Sequence, residues 1–192
     1  MERQSESVAE AKTLGAEEGG AQWFAMRDLT RSNAKMPAYQ MLKEKDIRFF
    51  TPMVWKLCLV NGRRVRREVP YLHDLIFVYD TRETLDEIVA QVRTFQYRFL
   101  RHTYREPMTV RGQEMERFIR AVESVESPRY YLPEEITPDM RSRRVRIFGG
   151  SLDGCEGSLV TTRGSKVKRL LVEIPSLLAA SVEVRPEYIQ LI

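Results

Sequence analysis

Cysteine and histidine are nearly absent from this chain of 192 residues, which holds two of each. Cys58 and Cys155 stand far apart with no C-x-x-C spacing, so neither a disulfide framework nor a zinc site is indicated, and both are expected to be packing residues. Neither His73 nor His102 has a nucleophile, a base and an orienting acid near it in sequence, which argues against an enzyme. No apolar run approaches the roughly 18 residues of a membrane span, so no membrane partner is expected. The start of the chain lacks a basic segment leading into an apolar one, so a cytoplasmic location without a secretory signal is expected. No cofactor and no metal are expected.

Net charge, though not charged residues, is the next thing in short supply. The net charge is only +4, and it is spread unevenly. Residues 1–21 carry two Lys or Arg against five acids, residues 22–140 carry 20 against 17, and residues 141–192 carry nine against five. A mild positive bias beyond the first 21 residues fits transient contact with nucleic acid but is too weak to demand it, and charge alone favours a solvated surface. Residues 1–21 are rich in Glu, Ala and Gly with few large apolar side chains, so they are expected as a disordered tail.

Order is expected from Gln22. Gln22 to Met26 reads as a strand, and a helix starts near Met36, with Pro37 in its first turn, and runs to about Lys45. Ile47 to Phe50 is a second strand closed by Pro52, and Val54 to Val60 a third. Asn61-Gly62 is a strong signal for a two-residue hairpin turn, with Arg63 to Val69 returning. Arg63, Arg64, Arg66 and Arg67 then make a basic, exposed arm. Leu75 to Tyr79 suits a central strand. Thr84 with Glu87 reads as a capping box for a helix that buries Leu85, Ile88, Val89 and Val92. Phe95 to Leu100 is a strand, and Met115, Phe118, Ile119 and Val122 mark a third helix over about 112–125. Residues 126–142 hold Pro128, Pro133 and Pro138 among polar groups and read as a linker.

From Arg143 the pattern is strand and turn only. Five short strands in about fifty residues suit an SH3-like barrel. Val145 and Ile147 alternate with Arg144 and Arg146, and half of the ten glycines fall between Gly149 and Gly164. Gly149-Gly150 suits a tight turn with positive φ, and Gly154 and Gly157 suit a bulge or a close approach of two backbones. Gly149 and Gly154 have P-loop spacing, but Cys155 and Glu156 stand where Lys and Ser or Thr belong, and strand residues follow where a helix is needed. The glycines therefore read as turns. Leu177 to Ala180 has helical character, but the Val-rich strands around it favour a permanent barrel.

The strand, double-glycine turn, Gly-x-x-Gly and return strand, carried by Arg146, Gly149, Gly150, Gly154 and Gly157, resemble a KOW motif of the NusG family of transcription elongation factors. Further residues are similar to that family: Trp23-Phe24 opening the first strand, Phe50-Thr51-Pro52 closing the second, Val60-Asn61-Gly62-Arg63-Arg64 at the hairpin tip, and Leu75-Ile76-Phe77-Val78 after it. The resemblance covers about residues 22–192. It implies an α+β protein: a NusG N-terminal domain at 22–125, a ferredoxin- or RRM-like four-stranded sheet with helices and a β-hairpin arm, then the linker at 126–142 and a KOW domain at 143–192. Pro70 to Val78 departs from the Phe-Pro-Gly-Tyr pattern of housekeeping members. Together with Pro107-Met108-Thr109-Val110 and Val172 to Pro175, it looks more like the UpxY-type, RfaH-like antiterminators of capsular polysaccharide operons.

That resemblance implies a monomeric, non-enzymatic factor that docks on the clamp of RNA polymerase and suppresses pausing and termination. Tyr71 and Leu72, with Tyr39 and Phe24, are the candidates for the apolar dock. Arg63, Arg64, Arg66 and Arg67 are candidates for phosphates of upstream DNA. Arg27, Arg31, Asn33 and Lys35 are candidates for non-template DNA or leader RNA. The KOW domain of the family meets Rho, a ribosomal protein or nucleic acid, and Arg163, Lys166, Lys168 and Arg169 lie where such contacts would fall. A general NusG factor and a ribosome- or RNA-binding KOW module are the competing readings.

Overall fold

A computed structural model describes residues 20–31, 34–60, 62–100, 105–161 and 164–192. The chain runs β1 (Gln22–Asp28), α1 (Ala38–Glu44), β2 (Arg48–Phe50), β3 (Met53–Val60), β4 (Arg63–Pro70), β5 (Ile76–Asp80), α2 (Arg82–Gln91), β6 (Phe95–Tyr97), β7 (Thr109–Val110), α3 (Gly112–Glu123) and β8 (Arg129–Tyr131). It then continues through β9 (Arg144–Ile147), β10 (Glu156–Thr161), β11 (Lys168–Ile174), β12 (Leu178–Val184) and β13 (Ile189–Leu191). Helices and antiparallel sheets in these proportions make an α+β protein. Of the expected tail, residues 1–19 lie outside the described residues, as do Asn61, His102 and Arg163. The chain divides into two compact units, one within Met1–Thr51 and Leu72–Arg111, the other of Pro52–Tyr71 and Gly112–Ile192.

In the first unit the expected four strands pair in the order β2-β5-β1-β6, and the two-residue β7 adds to β1. Every pairing is antiparallel, with Phe24 opposite Val78 and Met26 opposite Ile76. Alternation sends Phe24, Met26, Ile76 and Val78 to one face, where Ala38 and Leu42 of α1 and Leu85 and Ile88 of α2 close a core with Phe95 and Tyr97. On the other face Trp23, Ala25 and Phe77 are also buried, and the Arg48 guanidinium lies 5.1 Å from the Trp23 ring centre. The expected capping box at Thr84 is corrected. Thr81 has extended backbone and is the N-cap, its hydroxyl accepting from the Thr84 N–H at 3.3 Å. The helix therefore starts three residues earlier, and Thr84 supplies one of the otherwise unpaired first-turn donors.

The second unit contains the two-stranded ribbon β3-β4 and a six-stranded antiparallel sheet in the order β13-β9-β10-β11-β12-β8. The expected linker contributes β8, whose Tyr130 pairs with Ala180, and two short 3-10 turns at Pro133–Glu135 and Pro138–Arg141. Helix α3 also lies in this unit, against β11 and β12, rather than with the first sheet. It turns Met115, Phe118, Ala121 and Val122 inward, the face its spacing announces. Strands β9 to β13 appear where expected, and Leu178 to Val184 is strand rather than helix. Closure into a barrel is not found among the described residues. The free edge of β12 is taken by β8, so no pairing joins it to β13.

The glycines divide by role. Gly149 and Gly150 have φ of 96° and 71° and are stacked against the ring of Tyr188, while Gly154, at φ 74°, faces open space. Gly157 instead permits a close approach, for a Cβ there would lie 2.3 Å from the Leu171 carbonyl oxygen on β11. Gly157→Ala is therefore expected to destabilise the chain by about 3 kcal/mol, through overpacking against backbone that cannot retreat without breaking the ladder. Gly154→Ala should cost about 1 kcal/mol, for its positive φ alone. Urea unfolding of the two variants checks the ranking, and an equal cost would contradict it.

Candidate nucleic-acid interface

The arm is set by its register. Leu59 stands opposite Arg64, Leu57 opposite Arg66, Lys56 opposite Arg67 and Trp55 opposite Glu68. Directly opposed residues share a face, and faces alternate along each strand. The four arginines are therefore divided two and two. Arg63 and Arg67 share a face with Lys56, whereas Arg64 and Arg66 share the other with Trp55, Leu57 and Leu59. All four arginines are exposed, and among the described residues none pairs with a carboxylate. The Arg66 guanidinium lies 4.9 Å from the centre of the Trp55 ring, a cation–π distance.

The second face carries residues that sequence reasoning missed. Trp55, Leu57 and Leu59 are 55%, 73% and 75% exposed, although side chains of this size on a strand ordinarily find a core. The signal was present in the sequence: large apolar residues at 55, 57 and 59 face a return strand with arginine at 64 and 66. Two facing strands so unequal in apolar content do not make an inward surface.

At the base of the ribbon the Tyr71 N–H donates to the Pro52 carbonyl at 2.7 Å, and the Tyr71 ring packs 5.3 Å from Tyr130. Burial and the neighbouring Glu135 carboxylate both raise the Tyr71 phenol above its ordinary range. Tyr130 is raised too, by burial first and by the charge of Glu68 second. Both phenols stay protonated at neutral pH and act as packing groups.

Within the first unit, Phe24 is 1% exposed in the core under α1 and α2. It offers no surface for docking, which corrects its place among the apolar candidates. Tyr39 packs against the same core and is half-buried, as is Leu72. Arg31 and Lys35 are exposed, and Asn33 lies outside the described residues. Arg27 is held 3.7 Å from the Asp74 carboxylate, which also takes Arg98 at 2.9 Å. Arg98 is a second cation at that point that the sequence pattern did not single out. The loop leading to α1 is pinned by a buried carboxylate: Asp28, 5% exposed, accepts from the N–H of Thr30 at 2.9 Å and of Ala38 at 2.8 Å. His73 reaches the Thr30 carbonyl through Nε2.

The glycine-rich stretch shows no phosphate cradle. Glu156 lies opposite Arg146 across β9 and β10 and pairs with its guanidinium, with Arg144 at 3.9 Å. The bond to Arg146 holds the Glu156 carboxyl below the usual carboxylate range, so this pair's contribution to stability is present above that range and is lost as pH falls through the lowered value. Of the basic residues after the glycines, Lys166 is exposed. Arg169 is 5% exposed and donates to the Ser181 hydroxyl, the Ser181 carbonyl and Glu183. It therefore holds β11 to β12 and is not free for nucleic acid. Among the described residues no three His, Cys, Asp or Glu side chains gather as metal ligands would, and no helix is long and apolar enough to cross a membrane.

A family model, that of the transcription termination factor nusG, matches residues 21–119. No curated protein matches the chain. The matched span takes in β1 through most of α3, including the whole arm.

Asp28→Ala is expected to cost about 2 kcal/mol, because it leaves two N–H groups at the ends of one loop without their acceptor. Hydrogen exchange at Thr30 and Ala38 should accelerate together. Unchanged protection at both amides would contradict the pinning role.

Proposed function

Because the chain belongs to the NusG family, whose members are non-enzymatic transcription elongation and termination factors that bind RNA polymerase, we propose that it is an operon-specific antitermination factor. It docks on the polymerase clamp through Leu72 and Tyr39 of the first unit. There it favours the closed, elongating state, because a bound factor shifts a conformational equilibrium by its differential affinity for the two states. The family match over residues 21–119 supports the coarser part of this reading, a polymerase-binding factor of elongation or termination. The specialised role is supported by Pro70 to Val78, which departs from the Phe-Pro-Gly-Tyr pattern of housekeeping members. A capsular polysaccharide operon is the proposed target.

The arm reaches upstream DNA, with Lys56, Arg63 and Arg67 on one face, around the Cys58 and Val65 pair, neutralising phosphates without reading sequence. Arg27, Arg31, Asn33 and Lys35 meet the exposed non-template strand or leader RNA and confer operon choice. Strands β9 to β13 act as a KOW domain, with Gly149, Gly150, Gly154 and Gly157 shaping its turns, and recruit a ribosomal protein or Rho.

In transcription with purified polymerase, the protein should increase read-through of a terminator placed behind the leader of its own operon and leave an unrelated template unchanged. Equal read-through on both would make it a general factor. Leu72→Asp should abolish polymerase binding with folding intact; antitermination that persists in that variant would show the dock to be elsewhere. Reversing charge at Arg63 and Arg67 should weaken duplex binding and flatten its salt dependence. A wild-type salt slope in that variant would remove the basic face from DNA contact.

A further inference from the structure

The proposed function assigns Lys56, Arg63 and Arg67 to DNA and leaves the other face of the arm unassigned. Trp55, Leu57 and Leu59 stand on it in a row about 13 Å long at the usual rise per strand residue. Arg64 and Arg66 stand beside them, directly opposite Leu59 and Leu57. All five side chains are exposed. Among the described residues the ribbon pairs with no other strand, and neither arginine meets a carboxylate. Glu68 lies at the far end, opposite Trp55.

Phosphate binding explains none of the three apolar residues, since it needs cations and a wet surface. Base stacking explains them poorly. Single strands are read on aromatic planes, and here Trp55 is the one aromatic ring in the row, with Arg66 already over it. Leu57 and Leu59 offer no π face at all. A row of large apolar side chains with tryptophan and arginine is instead the composition of the energetic centre of a protein interface. Exposed apolar area of this kind is what a protein surface withdraws from water.

We propose that the Trp55-Leu57-Leu59 face of the arm docks on a protein surface of RNA polymerase that is apolar at its centre and carries carboxylates where Arg64 and Arg66 reach it. This rests on the proposed function, which supplies the polymerase, and adds to it that the two faces of the arm have different partners. The face of Lys56, Arg63 and Arg67 meets DNA, and the opposite face meets protein. The arm is thereby held between the two, and its arginines are not interchangeable.

The test uses the full chain and two probes, purified RNA polymerase core free of nucleic acid and a DNA duplex free of polymerase. Both are titrated against the wild type, L57S/L59S and R63E/R67E, with circular dichroism confirming that each variant is folded. The apolar positions are exposed, so the serine variant should fold as the wild type does. L57S/L59S is expected to bind the polymerase at least about tenfold more weakly, with a loss that persists at high salt, and to bind the duplex unchanged. R63E/R67E is expected to show the reverse pattern. If L57S/L59S binds polymerase as the wild type does, the docking face is overturned while the proposed function stands. If it loses duplex affinity as strongly as polymerase affinity, the leucines act on nucleic acid and the proposal fails. If sedimentation shows a wild-type dimer that this variant dissolves, the occupant is a second copy of the chain, and the proposal fails again. A wild-type chain that does not bind polymerase overturns both the docking face and the function on which it rests.

Discussion

Antiparallel pairing in a fixed register is the constraint on which the rest of this chain depends. A strand has a period of two, so a slip of one residue would carry every side chain to the opposite face. In the first unit the register of β1 on β5 sends Phe24, Met26, Ile76 and Val78 beneath the two helices. In the ribbon the same rule places Trp55, Leu57 and Leu59 on one face with Arg64 and Arg66, and Lys56, Arg63 and Arg67 on the other. On β9 and β10 it puts Arg146 against Glu156, which engages a carboxylate that would otherwise oppose any anion near the glycines. One geometric rule produces a core, a two-sided arm and an inert turn.

What fixes the register differs from place to place. In the ribbon there is no core to enforce it, so the turn must, and Gly62 takes the positive φ of 77° that a two-residue hairpin turn requires. Between β10 and β11 the absence of a side chain at Gly157 lets the backbones approach, and Arg169 ties β11 to β12 through Ser181 and Glu183. In the first unit a buried carboxylate, Asp28, holds both ends of the loop that carries Arg31 and Lys35. Arg31 and Lys35 are thus exposed side chains on a loop tied at Thr30 and Ala38 to a buried carboxylate, which limits the entropy lost when a ligand is met.

Much of this was legible in the sequence, and the rest was hidden for physical reasons. The hairpin showed because Asn61-Gly62 has few alternatives, and α3 showed because its apolar spacing is regular. The partner of α3 did not show, since an amphipathic face declares that it is buried and not what buries it. Strand β8 was missed because three residues between prolines are too short to display a period. The start of α2 was misplaced because Thr81 and Thr84 are both acceptable caps, and only the extended backbone at Thr81 decides between them. Phe24 was counted among surface residues because apolar character alone cannot tell a core from a dock. The four arginines read as one patch until the register divided them, and the apolar row beside two of them went unremarked although alternation in β3 announced it.

The family match gives the protein its place in transcription, and the arm gives that role its distinctive physics. A ribbon with Lys56, Arg63 and Arg67 on one face and Trp55, Leu57 and Leu59 beside Arg64 and Arg66 on the other is, in the proposed account, wedged between duplex and polymerase. The most direct test places a photocrosslinking residue at position 57 or at position 67 of the full chain in an elongation complex. Position 57 is expected to label polymerase protein, and position 67 upstream DNA. Labelling of the same component from both positions would contradict the two-faced arm.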